Sequence, residues 1–165
     1  MKATELLKKQ HREVKGLFRQ VKKASDARGR RAGMEEIAEK LEAHMRIEEG
    51  IFYPAVQEIG TKKADEIVPE AFEEHHVVKL VLGELPKVDP KDERFEAKMT
   101  VLEELIEHHV EEEEDEMFKI AEKLGDERLA ELGDEMQSAR GEEASSSRSG
   151  RSTGTRAAAA AGGRR

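Results

Sequence analysis

The chain is predicted to be all-α: an up-down-up-down four-helix bundle with a short fifth C-terminal helix and a disordered tail. Three observations carry this reading. Apolar residues recur at three- and four-residue intervals in four segments of comparable length, the spacing that gathers them on one face of a helix. Short connections containing Gly, Pro or Asp separate the segments, which favours antiparallel neighbours. The 165 residues are ample for one hydrophobic core and too few to suggest a second domain.

Helix one is expected from about Thr4, read as its N-cap, along a stripe of Leu7, His11, Val14, Phe18 and Val21 to Ser25-Asp26, ahead of Arg28-Gly29. Helix two is expected after Gly33, along Ile37, Leu41, His44, Glu48, Ile51 and Ala55, and to stop at Gly60. Within it Pro54 forfeits a backbone hydrogen bond and pushes against the Gly50 carbonyl, which predicts a kink one turn beyond Glu48 rather than a stop. Helix three follows Thr61, and Pro69 near its start marks the first turn as a candidate separate helix. Val68, Ala71, His75, Val78, Leu82 and Leu85 then stay in register until Pro86. The loop through Asp89-Pro90 feeds helix four, with Phe95, Met99, Leu102, Ile106, His109, Glu113, Met117 and Ile120 on one face, ending near Leu124-Gly125. A fifth helix from Asp126 to about Met136 carries Leu129 and Leu132 and is expected to close one end of the bundle as a lid.

Charge divides the chain. Its net charge is −8, but residues 138–165 hold six Arg against Glu142 and Glu143, a balance of +4 that leaves −12 on the rest. An acidic bundle repels nucleic acid and favours cations. The Ser/Gly/Ala/Arg segment is too poor in apolar residues to fold alone, so a disordered end is expected ahead of a nucleic-acid or membrane-surface arm. The expected division is a metal-binding bundle over 1–137 and a basic tail over 138–165. There is no cysteine, which excludes thiolate zinc sites, iron–sulfur clusters and disulfides. No apolar run approaches the roughly 18 residues of a membrane span and no signal-peptide core follows Met1, so a soluble cytoplasmic protein is expected.

All six histidines fall on predicted helices, as His11, His44, His75-His76 and His108-His109. His44 and Glu48 are an i, i+4 pair, as are His109 and Glu113, so each carboxylate stands one turn from an imidazole on the same face. Bundles build dinuclear sites in this way. Periodicity decides between the doublets: His75 and His109 lie on the apolar stripes, whereas His76 and His108 sit about 100° round the helix. Under-winding near a metal would reverse either choice or recruit both. In the run Glu111 to Glu116 only Glu113 is on the stripe; Glu112 would pair with His108, and Glu114 follows His109 by five residues. The candidate ligands are therefore His11, His44, Glu48, His75, His109 and Glu113.

A single core histidine is usually a neutral residue satisfied by a neighbour. Four in one layer with two glutamates are different, because each buried carboxylate loses several kcal/mol of hydration and no inward Lys or Arg lies near the layer to offset it. A cation removes that penalty. Imidazole and carboxylate suit iron, manganese, zinc and copper alike.

Four pieces of the chain, Gln10-His11-Arg12-Glu13-Val14, His44-Met45-Arg46-Ile47-Glu48-Glu49 running into Phe52-Tyr53-Pro54, Glu74-His75-His76, and His108-His109-Val110-Glu111 running into Phe118, are similar in order and interval to motifs of the hemerythrin-like family, specifically its HHE cation-binding domain. The resemblance covers about residues 3–136. It implies a four-helix bundle around a non-haem di-iron centre, two iron ions joined by carboxylates and an oxo or hydroxo group, that binds oxygen or senses oxygen, nitric oxide or iron. Carried over by position, it implies one ligand from helix one (His11), two from helix two (His44, Glu48), one from helix three (His75), and His109 with a following acid from helix four, with Glu48 and Glu113 as the bridging carboxylates. The chain departs from the oxygen-carrying hemerythrins at Lys79, where they place a second histidine, and in offering Glu rather than Asp on helix four. One imidazole fewer leaves an open or water-filled position, which favours redox chemistry with peroxide, nitric oxide or oxygen over simple oxygen storage; His76 and His108 are the candidates to fill it.

The expectation is a di-iron protein that binds or senses oxygen, nitric oxide or peroxide, with no catalytic residue apart from the metal ligands. Two alternatives stand beside it: a di-iron oxidoreductase turning over peroxide or nitric oxide on the same ligands, and a cation store or structural bundle held by zinc or manganese. The expected partner is a small diatomic or peroxide ligand, not nucleic acid or membrane.

Overall fold

The structure is a computed structural model that describes the backbone through Ser152 and side chains through Arg140. The remaining expectation for the tail, over 153–165, lies outside the described residues. Helices α1 (Ala3–Lys23), α2 (Ala27–Ile47), α4 (Lys62–Glu84) and α5 (Glu93–Glu112) form the bundle. Each packs on its neighbours in chain order, and α5 closes the ring against α1, which is the up-down-up-down arrangement. Two short helices, α3 (Tyr53–Gln57) and α6 (Phe118–Ala121), prolong α2 and α5, and α7 (Asp126–Ser152) lies against α1. Among the described residues there is no strand, and no helix is long and apolar enough to cross a membrane.

Several boundaries differ from the sequence reading. Thr4 is not a cap: α1 already begins at Ala3, and the Glu5 carboxylate accepts the Lys2 N–H at 3.1 Å. Helix α2 starts at Ala27, ahead of Gly33, because the Asp26 side chain caps it, accepting the Gly29 N–H at 2.7 Å. Gly33 is a packing residue rather than a helix start: a Cβ there would meet Val21 Cγ2 at 2.3 Å, so glycine lets α1 and α2 approach closely. Helix α4 is continuous through Pro69, with Thr61 capping it by accepting the Ala64 N–H at 3.2 Å, so its first turn is not a separate helix.

Helix α7 does not end near Met136. It buries Leu129, Leu132 and Met136 as the expected lid, then continues past the point where the tail was expected to begin. Ala139 still packs against the core, and Arg140, Glu142, Glu143 and Ala144 are good helix formers that can prolong an anchored helix. The lid sits tight on the start of α1: a Cβ on Gly133 would lie 2.0 Å from the Met1 carbonyl oxygen.

The apolar core is divided in two. One cluster gathers Leu6, Leu7, Ile47, Phe52, Tyr53, Val68, Met117 and Phe118 with the α7 leucines. The other gathers Val14, Phe18, Leu41, Met45, Val78, Leu102, Ile106 and Val110. The buried polar residues Gln10, His11, His44, Glu48, His75, His109 and Glu113 occupy the layer between them.

Candidate metal centre

Each of the four bundle helices brings one histidine to this layer, and the two glutamates follow theirs by one turn. At each glutamate the helix changes winding: Glu48–Phe52 and Glu113–Met117 are single π turns, closed by Tyr53 N–H to Glu48 C=O and by Phe118 N–H to Glu113 C=O. The disturbance expected at Pro54 thus takes the form of a π turn. Proline is not its general cause, since the second π turn contains none; what the two share is a buried carboxylate at the first residue. Such turns cluster at functional sites because they re-aim a side chain by one residue. They also move the apolar stripe, so that Phe52 and Tyr53 are fully buried where the unbroken period placed Ile51, which is only half-buried.

The predicted ligand candidates His11, His44, Glu48, His75, His109 and Glu113 are all buried in the layer. His76 is exposed, and the His108 side chain is 63% exposed, with Nε2 3.5 Å from Glu74 and 3.6 Å from Glu112 at the surface. The ligand atoms form two sets, each within 4.8 Å: His11, His44, Glu48 and Glu113 in one, and Glu48, His75 and His109 in the other. Glu48 belongs to both. Its oxygens lie 2.8 Å from His44 Nε2 and 3.3 Å from His75 Nε2, and His11 Nε2 lies 3.4 Å from Glu113.

All four imidazoles are held by the other nitrogen. His11 Nδ1–H donates to Glu114 at 2.8 Å, His44 to Gln10 at 2.6 Å, His75 to Glu49 at 2.9 Å and His109 to Glu74 at 2.7 Å. These partners fix the tautomer, so the bare Nε2 atoms face inward, the arrangement that metal-ligating histidines adopt. None of the four was chosen as a candidate ligand from sequence; Glu114, weighed there beside Glu113, holds His11 from its Nδ1 side instead. A signal was present, because the two halves repeat: Gln10-His11 matches Glu74-His75, and His44 with Glu48-Glu49 matches His109 with Glu113-Glu114. In each half the first histidine is held by the residue after the other half's buried glutamate, and the second by the residue before the first histidine.

Tyr53, buried beside this layer, was also missed; its O–H donates to His75 Nε2 at 3.1 Å. Burial, with the negative charge of Glu113 and Glu48, pushes its phenol well above 10. Lys79 does not enter the layer. It reaches Glu49 at 2.6 Å from the surface and steadies the carboxylate that holds His75.

The donor set fits a cation. Neither oxygen of Glu48 or Glu113 has a hydrogen-bond partner, and neither does His11 Nε2, although all are buried. With Nδ1 protonated, a neutral His44 turns a lone pair toward Glu48 at 2.8 Å, and two lone pairs at that distance repel unless a proton or a cation lies between them. Without metal, a proton is held at His11: burial alone would lower its pKa, but Glu113 and Glu48 outweigh it and hold it up at about 10. His109 is raised in the same way by Glu74, Glu113 and Glu48 against its burial. Burial would raise Glu48, yet His44, His11 and His75 keep it well below 4.5.

Fold and layer together define a helical bundle built to hold cations. The chain belongs to the Hemerythrin HHE cation binding domain family, whose sequence profile matches residues 2–121. It is similar to the crystal structure of a hemerythrin HHE cation binding domain-containing protein from Mycobacterium kansasii, with 28% identity and a TM-score of 0.79 over 95% of this chain and 96% of that one. Among curated proteins no sequence matches.

Proposed function

We propose that the protein holds two iron ions and binds or senses a diatomic molecule or peroxide, oxygen and nitric oxide being the leading candidates. One observation carries the choice of ligand. A narrow cavity of about 10 Å³ adjoins Gln10, His11, His44 and His109, and its other walls are apolar. That is room for a molecule the size of water. An organic substrate does not fit, and the apolar walls suit a neutral diatomic.

His11, His44, Glu48 and Glu113 would hold one ion, and Glu48, His75 and His109 the other, with Glu48 shared. Iron in these positions would supply one-electron redox chemistry toward the small ligand. The chain's own part is to fix the four tautomers through Gln10, Glu49, Glu74 and Glu114, to keep the shared Glu48 carboxylate ionised, and to keep bulk water out with the apolar clusters on either side. The set around His75 and His109 has fewer protein donors than the other, and His109 also lines the cavity, which favours an exchangeable position on the His109 side of that ion.

The test is the response of anaerobically reduced, metal-loaded protein to oxygen and nitric oxide. A saturable, reversible spectral change without net consumption supports binding or sensing. Steady-state turnover of peroxide or nitric oxide would assign the oxidoreductase alternative instead, and the absence of any response would point to a store or structural bundle.

A further inference from the structure

Gln10 differs from the other three histidine partners in being an amide, and it has a donor left over. Its Oε1 accepts the Nδ1–H of His44 at 2.6 Å. The opposite orientation of the amide would present an N–H to Nδ1 and drive the ring proton to Nε2, the nitrogen that faces Glu48. The tautomer that lets His44 hold a cation therefore commits the Gln10 oxygen and leaves the NH2 group unused. Gln10 is only 4% exposed, and its Nε2 has no hydrogen-bond partner. Buried donors are rarely left unpaired, because water can no longer satisfy them.

The same side chain lines the small cavity beside His11, His44 and His109. The imidazoles direct Nε2 toward the carboxylates, and the rest of the wall, Val14, Leu41 and Ile106 among it, has no donor to offer. The matching position in the other half is Glu74, a carboxylate that can only accept from His109.

Resting on the small-ligand reading above, we propose that the Gln10 amide donates a hydrogen bond to the molecule in this cavity. The site then favours a diatomic whose outer atom gains negative charge on binding, such as oxygen or nitric oxide, over carbon monoxide, which is a weaker acceptor. It also places the ligand on the Gln10 side of the layer.

Nitric oxide is the probe, added to iron(II)-loaded full-length protein, with the N–O stretch followed by infrared spectroscopy in H2O and in D2O. The wild type should show a solvent-isotope shift, since the amide protons exchange. In Gln10→Glu, which keeps an acceptor for His44 but loses the N–H, the shift should vanish and nitric oxide should leave roughly fivefold faster, the effect of about one hydrogen bond. Should that substitution disturb metal loading, Tyr53→Phe, which removes the other exchangeable donor beside the layer, decides instead: an isotope shift that survives it belongs to Gln10, and one that it abolishes overturns the inference. A wild type that binds nitric oxide with no isotope shift overturns the inference and leaves the small-ligand reading standing. A wild type that takes up no nitric oxide overturns both.

Discussion

Gln10 and Glu74 occupy matching places in the two halves of the bundle: each directly precedes an inward histidine, and each accepts the Nδ1–H of the histidine on the next helix, Gln10 from His44 at 2.6 Å and Glu74 from His109 at 2.7 Å. The halves differ at this point by one functional group, amide against carboxylate. A carboxylate partner makes imidazole the more basic ligand. Glu74→Gln should therefore weaken the cation held by Glu48, His75 and His109 by about 10- to 100-fold, the usual effect of such partners, and spare the other. Titration with a metal buffer checks this; equal loss at both positions, or none, would count against it.

The doublets give a comparison within one helix. His75→Ala and His109→Ala should each cost metal, while His76→Ala and His108→Ala should leave the buried content unchanged, because the second pair lies outside the layer. Metal content of the four variants is the readout, and a reversed order at either doublet would mean that the side chain facing the cation has been misassigned.

Protons and metal compete for the same nitrogens, which sets the pH dependence. His11 is raised on folding from 6.5 to about 10, so its stabilising contribution to the metal-free protein is complete below 6.5 and is lost as pH climbs to about 10. Glu48 is lowered, so its contribution is complete above 4.5 and is lost as pH falls through its depressed value. The metal-stripped protein should be most stable between those limits, and its melting temperature should fall from about pH 6 to about pH 9. Metal affinity should rise over the same interval, since bound imidazoles must be deprotonated. Melting curves of stripped and loaded protein at both values decide; a stripped protein that melts higher at the alkaline pH contradicts the assignment.

Glu48 is the side chain common to both ligand sets. Glu48→Ala should release at least one ion per chain and lower the melting temperature of the loaded protein, whereas a fully loaded, unaltered variant would rule out a shared ligand. Elemental analysis beside a thermal melt suffices.

The bundle and its inward histidines and glutamates were legible because a polar residue on an apolar stripe stands out. His11, His44, His75 and His109 each replace an aliphatic residue in a regular period, and Glu48 and Glu113 continue two of those periods. The residues around them were not legible in the same way. Gln10, Glu49, Glu74 and Glu114 each sit one position off the stripe, where helices of this acidic chain carry ordinary solvated side chains. The π turns add one residue to the helical period at each buried glutamate, and no local pattern encodes that; hence Phe52 and Tyr53 take the inner position expected of Ile51, while Ala55 is buried as expected. Gly33 misled for the opposite reason, since a residue read as the point before a helix start was required by the approach of Val21.

Metal content and absorption spectrum of protein purified without oxygen test the central claim most directly. The expected result is two iron ions per chain, one for each buried ligand set, with near-ultraviolet absorption that develops on oxidation. A single ion per chain, or zinc with a transparent near-ultraviolet spectrum, would contradict the di-iron account.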